Sequence, residues 1–316
     1  MSGARPTVVF SVDFELRWGV ADTMPPDGGS YRRNLEGVVD AVPMLLDFFE
    51  RSAIRATWAT VGALQCDGWD EYEARAPAFP RYRDSKLALD PRTSRLADPS
   101  GRIHFAPALV AAVARTPGQE LGSHTFNHIY MREPGVMRRD VEADAAAVRS
   151  LFIERHARAP ISVVYPRNQV GFPEVLLEHG IRIWRDNPAA WFWNAPTTMD
   201  QYRVVRALRL ADSMMPLGRR RTAGRASPHR ASYYVRLGLP EVAFRAHVTR
   251  IARDARAARE GDILHLWFHP HNLGAEPEQC IARLGRLVSA IEVAQPKICF
   301  RHMGDIADLL GTPAAA

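Results

Sequence analysis

With three cysteines in 316 residues, Cys66, Cys280 and Cys299, the chain has too few thiols for a disulfide framework and no C-x-x-C pair for a zinc ribbon. Reduced thiols are expected. No stretch of about 18 uninterrupted apolar residues occurs, so no membrane span is expected. Residues 1–6 lead straight into Thr7-Val8-Val9-Phe10 without the apolar segment and cleavage site of an export signal, and a cytoplasmic enzyme is the expectation. No motif recurs at a period of roughly 20 to 50 residues, which argues against solenoids and propellers. Lysine is nearly missing: apart from Lys86 and Lys297, arginine carries the positive charge.

The 41 basic and 35 acidic side chains leave +6, a balance that taken alone points to a nucleic-acid partner. The excess is local. Nine arginines stand against one acid, Asp212, between Arg203 and Arg236, a local +8 that leaves −2 for everything else. Arg219-Arg220-Arg221 lie among Gly, Ser and Pro, a loop composition rather than a recognition helix, so no nucleic-acid partner is expected. A hydrophobic share of 47% and a charged share of 24% match a folded globular protein, and the length suits one α/β barrel or two modest domains.

Residues 8–12 are an apolar, β-branched run ending in Asp13, the pattern of a buried strand that delivers a carboxylate at its C-terminal end. Residues 34–51 carry Leu35, Val38, Val42, Leu45, Leu46 and Phe49 at helical spacing, and residues 54–61 read as the next strand. A βαβ start implies a parallel sheet. Between Gly68 and Gly101 neither period holds, and a long surface excursion is expected. Helices are expected at 106–114, 138–156, 174–179, 240–260 and 277–293, and strands at 120–123, 162–165, 181–184, 263–268 and 298–300. The sum is one barrel-like domain over 1–316, with insertions at about 66–118 and 187–239. In such barrels chemistry gathers at the C-terminal strand ends.

Four segments hold polar residues there. In Asp13-Phe14-Glu15 both carboxylates point to one side, so one can bind a metal while the other acts as general base. In His124-Thr125-Phe126-Asn127-His128 the histidines are four apart; if the chain turns helical after its strand, they share a face and can chelate one divalent ion. In Leu264-His265-Leu266-Trp267-Phe268-His269-Pro270-His271, alternation sets His265, Trp267 and His269 on one face and the apolar residues on the other. The strand through Tyr165 ends in Pro166-Arg167-Asn168-Gln169, where Arg167 can orient a carboxylate or form a surface ion pair. Asp186 is a further strand-end acid.

Taken in chain order, the segments at 13–15, 124–128, 166–167 and 264–271 resemble the polysaccharide deacetylase family, the NodB-homology carbohydrate esterases of family four, over residues 7 to about 300. The His-Thr-Phe-Asn-His stretch is the closest match. The resemblance implies a distorted (β/α)7-type barrel and metal-dependent removal of an N-acetyl group from an amino sugar or sugar-containing intermediate. It implies Glu15, His124 and His128 as ligands of a divalent metal, Zn²⁺ with Co²⁺ or Ni²⁺ as alternatives, Asp13 as base, Arg167 as its partner and His269 as acid. Two adjacent aspartates are usual in the first motif, so Asp13 and Glu15 can exchange roles, and His265 and His271 compete with His269. Trp18, Trp58 and Trp184 are read either as an aromatic wall for a sugar ring or as core, with Tyr165 beside the reacting group. The metal site is equally compatible with another C–N bond, a formamide or cyclic amide. A third reading is a non-catalytic barrel binding an anionic glycan through the arginine segment. The same arginines fit a phosphorylated sugar substrate.

Overall fold

The computed structural model describes residues 5–188, 190–193, 203–214, 222–223, 229–230 and 232–311. Its strands are β1 (Thr7–Phe14), β2 (Ala56–Thr60), β3 (Gln119–Ser123), β4 (Ser162–Val164), β5 (Ile183–Asp186), β6 (Thr222–Ala223), β7 (His229–Arg230), β8 (Tyr233–Tyr234), β9 (Asp262–Phe268) and β10 (Cys299–Arg301). Its α-helices are α1 (Arg32–Glu36), α2 (Val38–Arg51), α3 (Trp69–Arg75), α4 (Pro91–Ala97), α5 (Pro107–Arg115), α6 (Arg138–His156), α7 (Pro173–Glu178), α8 (Arg203–Met214), α9 (Glu241–Arg256), α10 (Pro277–Ala294) and α11 (Met303–Leu310). The strand order is β6-β9-β1-β2-β3-β4-β5-β7, with β10 beside β1 and β8 beside β9. Only the β6–β9 pairing is antiparallel among the described strands. Helical crossovers between neighbouring parallel strands curve the sheet into a distorted (β/α)7-type barrel of the α/β class.

β1 lies between β2 and β9, and all eight of its residues are buried, as a continuous apolar run predicts. Alternation divides them. Val8, Phe10, Val12 and Phe14 join the core that also takes in Val38, Val42, Leu45 and Phe49 of α2, with the Phe10 and Phe49 rings 6.0 Å apart. Each large apolar side chain so buried contributes about 1.5–3 kcal/mol. Val9, Ser11 and Asp13 face the other way, into the barrel. Val9 packs with Ile183, Ile263, Met303 and Ile306, so α11 closes the N-terminal end of the barrel. The opposite end, where Asp13 emerges, is open for chemistry.

Two segments differ from the sequence expectation. Residues 68–101 contain α3 and α4, and Trp69 and Tyr72 are buried against His104, Phe105 and Trp18. Those helices have seven residues each, too short for an apolar period to register. After β3 the chain does not turn helical. Residues 124–137 are irregular, with Thr125 and His128 at φ 63° and 56°. This loop is held by α6, where the Asp144 carboxylate accepts the Phe126 and Asn127 N–H groups at 2.7 and 3.0 Å. The three cysteines are free. Among the described residues no helix is long and apolar enough to cross a membrane.

Candidate active site

Glu15 is the first residue past β1. Its Oε2 lies 2.9 Å from His124 Nε2 and 3.0 Å from His128 Nε2, and all three side chains are buried. His124 extends the β2–β3 ladder through its N–H to the Thr60 carbonyl, while His128 is brought back beside it by the two left-handed residues of the loop rather than by a helical turn. The His124 Nδ1 donates to the Val164 carbonyl at 2.7 Å. A carbonyl only accepts, so in the neutral ring Nε2 presents a lone pair to the carboxylate. Two acceptors thus face each other at hydrogen-bond distance, an arrangement that a cation between them resolves. One carboxylate oxygen and two imidazole nitrogens converging in a buried site are ligand types for Zn²⁺ and its neighbours, and the Val164 carbonyl fixes the ring that would bind. The residues fit a divalent ion. Without an ion, the same rings can instead carry a proton on Nε2: burial works against the Glu15 charge, but His269 and the hydrogen bonds donated by His124 and His128 then outweigh it and hold the Glu15 pKa well below the usual carboxylate range. A side chain at Gly19 would overlap the Glu15 carboxylate, so glycine makes the room for it.

Asp13 is gripped by Arg185 of β5, with Nη1 on Oδ1 and Nη2 on Oδ2, both at 2.8 Å. Arg185 also donates from Nη1 to Ser11 Oγ at 2.8 Å and from Nε and Nη2 to Asn168 Oδ1 at 3.2 and 2.8 Å. All five guanidinium hydrogens are used, and its carbon lies 4.3 Å from the centroid of the Trp267 ring. The expected partner, Arg167, is elsewhere: it pairs with Asp22 and lies over the Tyr130 ring at 4.7 Å. Arg167 and Asn168 both have left-handed backbone, φ 52° and 54°, and the turn sends the Asn168 amide to Arg185 and the Arg167 guanidinium to Asp22.

Past β9, His269 Nε2 stands 3.2 Å from Glu15 Oε1 and 3.8 Å from Asp13 Oδ2. His265 is lower in the barrel, its Nε2 2.8 Å from Ser11 Oγ. His271 is buried and stacked on His269 at 4.9 Å, and burial pushes its pKa down to about 3. Of the three histidines, His269 lines the cleft.

That cleft joins Asp13, Glu15, His124, His128 and His269 to Asn168, Asn187, Arg167, Arg209, Trp193 and Trp267. The expected aromatic wall is not part of it. Trp18 is core, donating Nε1 to the His104 carbonyl at 2.7 Å, and Trp58 is core between the Phe14 and Phe49 rings. Tyr165 is fully buried in the cluster beside α7, where Trp184 also packs, because alternation turns Trp184 away from the barrel when Ile183 and Arg185 point inward. Arg185, Trp193, Trp267 and Gly19 were not foreseen as site residues. A signal for Arg185 existed, since an arginine two residues after an inward isoleucine needs a buried partner. Trp193 and Arg209 come from the insertion, where no period guides the reading; Arg219, Arg220 and Arg221 lie outside the described residues.

No protein-family model matches the chain, and no curated protein matches it. Among solved structures, a putative polysaccharide deacetylase from Mycobacterium smegmatis superposes with a TM-score of 0.59 at 14% identity, covering 100% of this chain and 94% of that one. The chain has the polysaccharide deacetylase fold. The structure of Puue allantoinase shares it, with a TM-score of 0.53 at 14% identity over 96% of this chain and 90% of that one. In this fold the five polar residues of the cleft floor gather at the C-terminal ends of β1, β3 and β9 or in the loops that follow them.

Proposed function

We propose that the chain is a single catalytic domain that hydrolyses an amide C–N bond, removing the N-acetyl group of an amino sugar or sugar-containing intermediate, with Glu15, His124 and His128 holding a divalent ion, Zn²⁺ or in its place Co²⁺ or Ni²⁺. One observation carries this reading: a buried carboxylate–imidazole–imidazole convergence lies beside a second carboxylate, Asp13, held on both oxygens by Arg185. When bound, such an ion polarises the acyl oxygen and lowers the pKa of a water. Asp13 then accepts the proton of the attacking water, and its grip by Arg185 fixes the accepting oxygen without reorganisation. His269 carries the proton that the leaving amine needs, from the side of the carboxylates facing Trp267. Trp193, half-buried at the cleft, offers an apolar wall to a sugar ring. Arg209 at the same cleft favours a substrate with an anionic group such as phosphate.

The deacetylase likeness supports the acetamide, and the allantoinase likeness favours a second reading, opening of a cyclic amide by the same groups. Metal analysis and a substrate panel test both. Wild-type protein is expected to bind metal and His124→Ala to lose most of it, while Asp13→Asn lowers kcat by about 10²–10⁴-fold. Acetate release from N-acetylated sugars supports the first reading, and ring-opened product from cyclic amides the second. Wild-type metal content in His124→Ala overturns the ligand set.

A further inference from the structure

Glu15 divides its carboxylate between two histidine pairs. Oε2 faces His124 and His128, as described, whereas Oε1 lies 3.2 Å from His269 Nε2. Each pair, with Glu15, offers ligand atoms that lie within 4.8 Å of one another. His271, 3% exposed, has a buried Nδ1 with no hydrogen-bond partner. Nothing in the hydrolytic reading uses that nitrogen. Pro270 separates the two histidines in a tight turn, which keeps the rings stacked side by side over the carboxylates.

From this geometry we propose that Glu15 Oε1, His269 and His271 form a second, weaker divalent-cation site, and that filling it switches the enzyme off. The switching part rests on the role of His269 proposed above. A carboxylate shared between two ions is usual chemistry in two-metal hydrolases, and Asp13 Oδ2, 3.8 Å from His269 Nε2, adds a second negative charge nearby. The site is weaker because its rings are less fixed. His124 is locked by a 2.7 Å bond to a backbone carbonyl, while His269 Nδ1 has Asn272 Nδ2 at 3.4 Å and its side chain is 19% exposed. The Nε2 of His269 has one lone pair, which holds either a proton or an ion. With an ion there, the leaving amine has no proton donor, and turnover falls although the first ion is in place.

Chelator-stripped protein titrated with Zn²⁺ by equilibrium dialysis tests this. Two ions per chain are expected at saturation, one tight and one weak, and His271→Asn and His271→Gln should each keep the tight ion and lose the weak one. Turnover should rise to the first equivalent and fall by about 10²-fold or more as the second binds, since a general acid is worth about that much. In the His271 variants the fall should move to Zn²⁺ concentrations about tenfold higher or beyond, a change of about 1.4 kcal/mol in binding. One ion per chain in saturated wild-type protein, or a weak ion retained in both His271 variants, overturns the second site. Failure of the hydrolytic reading looks different: turnover is then absent at one equivalent, while the dialysis still reports the number of sites.

Discussion

Arg185 decides what Asp13 can do, because a carboxylate held on both oxygens keeps one orientation towards the cleft. Both side chains are almost fully buried, so removing one leaves the other as an unpaired charge. Arg185→Ala is expected to cost about 3–5 kcal/mol of stability, read as a shift in the urea midpoint, together with a large loss of kcat. Arg167→Ala, at a pair with Asp22, should leave the urea midpoint nearer wild type. Equal losses in the two variants would show that Arg185 has no special part. The residues proposed as ligands and base were legible in the sequence, since Asp13-x-Glu15 and His124-x-x-x-His128 stand at or just past strand ends. Arg185 was less plain: its alternation with Ile183 marks it as inward, but only the left-handed turn at Arg167 and Asn168 decides which arginine takes Asp13.

At the scale of elements, the loop after β3 owes its shape to α6. Asp144 takes two backbone N–H groups of that loop, and desolvation pushes its pKa up to about 7 against the effect of those bonds. An acid whose folded pKa is raised holds its proton more tightly when folded, so this group's contribution is complete below its unfolded pKa near ~4 and is lost as pH rises through about 7. The melting temperature of wild-type protein, relative to that of Asp144→Asn, should therefore fall between pH 5 and pH 8. A difference constant across that range would refute the assignment. The periodic elements were plain in the sequence: α6 and α10 appear within one residue of their expected ends. The loop was not, because the spacing of two histidines is equally compatible with a helical face and with a turn through left-handed residues.

For the whole molecule, the parallel sheet sets polarity. Every group in the cleft floor stands at one end, and α11 fills the other. This much followed from alternating strands and helices, while the contribution of the arginine-rich insertion to the cleft did not, since its composition specifies no contacts. The three apolar clusters of the core contain none of the charged groups of the site. Chelation should thus lower the melting temperature by a few degrees without unfolding the protein at 25 °C, because an ion bound to the native state adds stability only through its own binding free energy. The shift should vanish in His124→Ala; a chelator effect of equal size there would place the ion elsewhere. The helix beneath the barrel also governs traffic. With that end filled by α11, the described cleft has one mouth, so in the proposed hydrolysis the small acid formed at the cleft floor leaves after the larger amine, and the order of product release is built into the architecture.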